Sequence, residues 1–417
     1  MKNRLQTGLL VVCVLCAHVL WAQSEDEDLE RASDGSAELS LGDGLEVSFS
    51  DGMYTFGLGG LLQPVVNLSQ VESGDLERSF YIQRSYIEFS ASDREKGVSF
   101  LIRSDFAAER PLLDAYMVAQ INNVFTATIG QFQSIANNRE MLFFEGDLAM
   151  LNRSMVSTAF AQTGREFGVA VKADLSLGKA RLVPMLSVTS GDGMNSFGLL
   201  SNDVDRGGLK YGGRLDVYPF GRFSEGNEMT GFDLIGESTP KLVLGGASSW
   251  NDGASGPVGE SHGAFGLYTV DGQDQLPQYL KNYVDAMLKW KRATLLVEYV
   301  NAAAYNLQGA YTNPANGESL VSEQISEYLV LGNAYQAQLG VTIDGKWAVN
   351  GRFSQSFPEF ESNEESVLET VDAVGACLTW FNRGNAMKVQ LGGDYLNYFN
   401  TPAKNGWSGQ VLVQLQF

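Results

Sequence analysis

The chain has little of what enzymes and disulfide-stapled secreted domains use. Of its 417 residues only three are cysteine and two are histidine. Cys13 and Cys16 lie in an N-terminal apolar segment, so Cys377 alone remains beyond it, which excludes an internal disulfide framework. His18 lies in the same segment, and a histidine-based acid/base centre would have to rest on His262, in a Gly-rich stretch. No CxxC pair, HExxH stretch or Gly-rich phosphate loop occurs, so no metal, cofactor or catalytic centre is expected, and no nucleic-acid partner. Proline is scarce at ten residues, and no Pro-rich or Ser-rich linker divides the chain after residue 52. Beyond residue 23 no run approaches the roughly 20 apolar residues of a membrane-crossing helix, so any membrane residence must come from strands.

What is present begins with "MKNRLQTGLLVVCVLCAHVLWAQ", where Lys2 and Arg4 precede an apolar run from Leu9 to Trp21. This reads as a secretory signal peptide over residues 1–23, and Leu15 before Cys16 departs from the small residue a lipoprotein site needs. Residues 24–52 hold ten acidic residues against Arg31 alone, a composition predicting an acidic, disordered periplasmic lead. Residues 53–417 then form one unit.

Within that unit, segments of about ten residues alternate apolar and polar side chains with period two, the signature of half-buried strands. Sixteen are predicted: 53–63, 79–90, 97–106, 113–121, 124–132, 166–174, 179–189, 209–219, 241–250, 283–290, 293–301, 332–343, 346–355, 371–381, 386–396 and 407–417. In the last, Trp407, Val411, Val413, Leu415 and Phe417 share one face, and Gln410, Gln414 and Gln416 the other. Tight turns such as "NN", "KR" and "DG" alternate with long connections, 133–165, 251–282, 302–331 and 356–370 among them. A transmembrane antiparallel β-barrel sorts its loops this way, short on the periplasmic side and long outside, whereas a soluble sandwich has no reason to. Residues 220–240 are the exception, long where a short turn is due. The facing of 241–250 and 371–381 is open on pattern alone. Terminal alternation ending on Phe417 is how outer-membrane barrels typically finish.

The fold expected is therefore all-β, a barrel of about 16 strands in the outer membrane of a Gram-negative bacterium, with lipid and lipopolysaccharide around it. Its third external loop mixes Arg139, Glu140, Glu145, Asp147 and Arg153 with Phe143, Phe144 and Leu148, more apolar content than a solvated cap needs. Folded into the lumen, it would bury the aromatics and leave charges of both signs at a constriction. The lumen faces carry Arg84, Arg103, Lys172, Arg181, Arg214, Lys289, Arg352 and Lys388. Opposed to them are Glu88, Asp105, Asp114, Glu166, Asp174, Asp216, Asp285, Glu298 and Asp394. The formal net charge of −20 is concentrated in the acidic lead and the external loops, so the barrel wall is nearly neutral. Mixed wall charge suits small polar solutes without strong ion choice.

The stretches "YIQRSYIEFSA", "LLDAYMVAQI", "TIGQF", "LNRS", "TGREFGVAV" and "YPFGRFSEG" occur in this order. Together they resemble the phosphate-selective porin O and P family, in the form found among Bacteroidetes-like bacteria. The resemblance implies a sixteen-stranded barrel, a homotrimer, a third loop folded inward and passage of anions such as phosphate. In porins that this chain resembles, the last strand and its terminal aromatic, here Phe417, are presented to the barrel-assembly machinery. Arg153 and Arg165 fall on matching motif positions, while the family's paired arginine is here Gln83 followed by Arg84. The function implied is passive diffusion of small hydrophilic or anionic solutes, without enzymatic activity. The other classes open to such a barrel are an adhesion or binding protein and a barrel hydrolase.

Overall fold

The computed structural model describes residues 35–201, 207–316 and 318–417. The signal peptide expected over 1–23 lies outside the described residues. The hairpin β1 (Ser36–Ser40) and β2 (Gly44–Phe49) comes first. The wall then starts with β3 (Tyr54–Val71), β4 (Glu77–Asp93), β5 (Val98–Asp105), β6 (Leu112–Gln120) and β7 (Phe125–Gln133). After the third external loop come β8 (Arg165–Ala173), its short continuation β9 (Leu175–Leu177), β10 (Ala180–Thr189) and β11 (Lys210–Tyr218). The far half consists of β12 (Lys241–Asn251), β13 (Gln278–Trp290), β14 (Ala293–Tyr305) and β15 (Gly332–Ile343). It ends with β16 (Trp347–Pro358), β17 (Val371–Arg383), β18 (Met387–Tyr398) and β19 (Gly406–Gln416). Each strand pairs antiparallel with its neighbour, and β19 returns to β3, from Gly406 opposite Val71 to Gln416 opposite Leu61. The result is a closed sixteen-strand barrel. Closure pairs the backbone groups that an open sheet would leave at its edges, where lipid could not satisfy them.

The period-two pattern becomes two environments. In β19, Leu412 and Gln414 are wholly buried toward the lumen, whereas Trp407, Val411, Val413 and Leu415 are exposed on the outer surface. The same outward set recurs as Phe89, Leu186, Val284, Leu339, Val374 and Leu391. An apolar belt outside and buried Arg, Asp and Gln inside is the inverse of a water-soluble protein. Among the described residues no helix is long and apolar enough to cross a membrane. The two-residue turn Lys291–Arg292 has positive φ at both positions (48° and 72°), the geometry that matches strand twist in a tight hairpin.

The facing left open by pattern is settled by space. In β12 and β17 the inward residues are small, with Val243, Gly245, Ala247 and Ser249 in one and Ala373, Gly375 and Cys377 in the other. A Cβ at Gly245 would collide with the Arg214 guanidinium and the Asp285 carboxylate. Room there is taken by charged side chains from neighbouring strands.

Two features correct the sequence reading. Residues 36–49 of the acidic lead are not disordered: β2 pairs with the start of β3, from Leu45 opposite Leu58 to Phe49 opposite Tyr54. The reason is length. β3 runs 18 residues, further toward the periplasm than β19 reaches, and its unpaired backbone groups take the hairpin as partner. The hairpin turn also meets the strand that closes the seam, Gly42 N donating to Gln416 O at 3.1 Å, and Phe417 pairs with Gly60 through both backbone groups. The second feature is a bulge in β4. The register shifts between Gln63 and Pro64, opposite Arg84 and Ile82, which leaves Gln83 as the extra residue. Pro64 has no N–H to donate, and the bulge resets the alternation so that Phe80 and Ile82 face outward while Arg84 faces in.

Candidate functional site

The third external loop, residues 134–164, turns into the lumen and is buried along most of its length. It contains α1 (Arg139–Leu142), a tight turn over Glu145–Asp147 and α2 (Met155–Phe160). Ser154 caps α2, its Oγ accepting from Ser157 N. On one side Arg139 crosses to the far wall, with Nε 2.6 Å from Asp285 and Nη2 2.7 Å from Asp216. Arg214 completes that cluster at 2.7 Å from Asp285 and donates to Asn137 O at 2.9 Å. Glu140 N donates to Glu298 at 2.7 Å, while the Glu140 carboxylate receives Ser154 N and Oγ and pairs with Arg352 at 3.3 Å. On the opposite side Lys388 Nζ donates to Gly146 O at 2.7 Å and Asn385 to Asp147.

The loop's tip also meets β8. Arg165 bridges Glu145 at 3.1 Å and Asp114 at 3.0 Å, and Arg103 pairs with Asp114 at 2.9 Å while lying over the Phe144 ring. Arg153 pairs with Glu145 at 3.1 Å and donates to the carbonyls of Glu140 and Phe143. Burial alone would raise the Glu145 carboxyl, but the guanidinium groups of Arg165, Arg153 and Arg84 hold it well below the usual carboxylate range. For Asp147 burial wins over Lys388 and Asn385, and its carboxyl is pushed up.

A second inserted segment enters from the periplasmic end. The long turn at 219–240 does not disturb the strand count; it folds into the lumen and packs Phe232 against Phe381, ring centroids 5.0 Å apart. Its backbone meets the loop from the other side, Gly231 N donating to Asp147 O at 2.9 Å. Lys289 fastens it through the carbonyls of Asn227, Thr230 and Phe232, at 2.6, 2.7 and 2.5 Å.

Between these insertions and the wall lie two chambers. The external one, about 630 Å³, is lined by Arg84, Asp105, Glu145, Arg153, Arg165 and Arg352 among others. The periplasmic one, about 530 Å³, is lined by Arg103, Asp114, Arg165, Lys172, Asp216 and Arg222. Arg165 borders both. Arg139, Glu140, Asp147, Arg214, Lys289 and Lys388, named from sequence as constriction residues, line neither chamber; they hold the inserted segments in place. Sequence reasoning missed Arg222 and Glu228, whose pairing at 2.6 Å belongs to the 219–240 segment. Its signal was the run of Phe220, Phe223, Met229 and Phe232 in what should have been a polar turn.

Each carboxylate lining a chamber is already held. Asp105 accepts from the backbone N–H groups of Ser85 and Ala107, and Asp394 pairs with Arg352. Asp114 and Glu145 share Arg165, Asp216 has Arg139 and Arg214, and Glu228 has Arg222. Among the described residues Arg84 makes no salt bridge: its guanidinium donates to Gln63 at 2.7 Å and acts on Glu145 only through space, and Lys172 makes no ion pair.

No family model matches the chain, and no curated protein matches it. The solved structures it is similar to are outer-membrane porin barrels. Salmonella typhi OmpF in complex with daunomycin is 11% identical, with 88% of this chain and 99% of that one covered and a TM-score of 0.52. Pseudomonas putida OprB is 11% identical over 88% of this chain and 95% of that one, TM-score 0.53. OmpT, an outer membrane protein of Vibrio cholerae in its trimer form, is 11% identical over 87% and 99%, TM-score 0.50. At these identities the likeness is one of fold.

Proposed function

We propose that this chain is an outer-membrane porin through which small hydrophilic solutes diffuse passively, with anions, phosphate among them, favoured over cations. The observation that carries the proposal is the asymmetry of charge satisfaction along the two chambers: their carboxylates are held by cations or backbone N–H groups, while Arg84 and Lys172 make no salt bridge. Cations fixed in a narrow passage, where screening is weaker than in bulk, attract counter-charged solutes. The resemblance to the phosphate-selective porins points the same way, with Arg153 and Arg165 on matching positions. A homotrimer is in keeping with the trimeric form of the Vibrio cholerae neighbour. Uptake of Phe417 by the barrel-assembly machinery and lipopolysaccharide around the external loops belong to the same proposal. Reversal potentials in salt gradients across a planar bilayer, with chloride and then phosphate, test it. The expected sign is that of anion preference. A cation-selective sign overturns the anion assignment, and absence of conductance overturns the porin itself.

A further inference from the structure

The four arginines of the external chamber share its wall with apolar side chains as well as with polar ones such as Asp105, Glu145 and Asp394. Met141, Met155, Met194 and Leu396 line the same space, from α1, α2, the loop after β10 and strand β18. The periplasmic chamber repeats the combination, setting Arg103 and Lys172 among Phe132, Phe143, Val183 and Met185. A strongly hydrated inorganic anion gains nothing from thioether and aliphatic walls and gives up water to pass them. An anion carried on a hydrocarbon body gains at both ends, through charge-assisted hydrogen bonds to guanidinium and through burial of its apolar surface. Unbranched, polarisable methionines suit bodies of differing shape. The external volume of about 630 Å³ lies within the ~300–1,000 Å³ typical of pockets for organic ligands.

We infer that the external chamber is a binding station for amphiphilic organic anions, a carboxylate or sulfonate on an aliphatic or aromatic body, with Arg84 taking the anionic head and Met155 and Met194 the body. Arg84 is the head-group residue because Arg153, Arg165 and Arg352 already share Glu145 and Asp394. Met155 and Met194 are the body residues because both are half-buried and offer surface to the chamber, Met194 from beside its packing against Leu61, Tyr86 and Leu113, whereas Met141 is almost wholly buried. This rests on the porin reading and narrows its solute class from any small anion to those with an apolar part.

The test is transient block of single-channel current by acetate, butyrate and hexanoate in KCl, with inorganic phosphate and hexylammonium as probes. Apparent Kd should fall roughly two- to fourfold per added methylene, with phosphate and hexylammonium much weaker than hexanoate. Arg84→Gln should weaken every carboxylate by a similar factor and keep the dependence on chain length. The double substitution Met155→Thr with Met194→Thr should flatten that dependence. Equal Kd values across the series, or phosphate or hexylammonium binding as tightly as hexanoate, overturn the inference while leaving an anion-selective channel standing. Absence of conductance overturns both. Should the double variant fail to assemble, the length series on the unaltered protein decides alone.

Discussion

The two halves of the lumen are built from the same residue types, paired in both, but only one half leaves its charges at the edge of open space. On β11, β13 and the inserted loop, Arg139, Arg214, Asp216 and Asp285 form a cluster almost without solvent exposure. Opposite them, Arg84, Arg103, Arg165 and Arg352 border open chambers. Nothing in the charges themselves separates the groups. What separates them is where the third loop lies, for a charge pair it covers becomes structural and one it leaves uncovered remains available to a solute.

The largest break in this contrast is expected from the covered side. Asp285→Ala leaves Arg139 and Arg214 buried with one carboxylate fewer, and removing one partner of a buried pair costs about 3–5 kcal/mol. Thermal unfolding in detergent, followed by the heat-dependent shift in gel mobility, should show it. Next comes Arg165→Gln, at a residue bordering both chambers. It releases Glu145 and Asp114 from one shared guanidinium, so the reversal potential should move toward cations by more than in any variant confined to one chamber.

A smaller effect concerns acid. The folded-state Glu145 carboxyl is depressed, so its stabilisation is complete above the unfolded value of about 4.3 and is lost only as pH falls through the lower folded value. Asp147 has the opposite sign: its raised carboxyl takes a proton first, and that proton favours the folded loop. In the same thermal unfolding, the loss of the loop's hold that depends on Glu145 should therefore appear only below about pH 4.3. Arg153→Gln removes one of the guanidinium groups holding Glu145 and should move the acid transition to higher pH. The smallest stability effect belongs to Arg84→Gln, about 0.5–1 kcal/mol, because the substitution breaks no salt bridge and Arg165 and Arg153 still hold Glu145. Its reversal potential should still move toward cations, which sharpens the distinction between a charge that holds the fold and one that meets solute. Arg352 belongs to the first kind as much as the second, since it contacts Glu140 and Asn152 O of the loop and does not stand on a distant wall.

Much of this was legible in the chain. Strands such as β15 and β19 carry their facing in every second residue, because a barrel has only two environments and the pleat alternates between them. The apolar content of 133–165 marked the loop that folds in. The roles of Lys289 and Lys388 were not legible, since an inward lysine reads the same whether water or a carbonyl awaits it. The hairpin at 36–49 was hidden by its acidic composition, although Leu45, Val47 and Phe49 alternate as a strand should.

The sequence by itself determined the number of strands in the barrel wall, their boundaries to within a few residues except at the extended external ends of several strands such as β3 and β13, and the inward placement of wall charge, because each follows from local periodicity and turn chemistry. Only the tertiary structure decided which charges are spent on holding the third loop and the 219–240 segment and which remain at a chamber wall. That choice depends on contacts between residues more than a hundred positions apart, such as Arg139 with Asp285 and Lys388 with Gly146, and local pattern carries no information about which distant carbonyl or carboxylate will fill a given space.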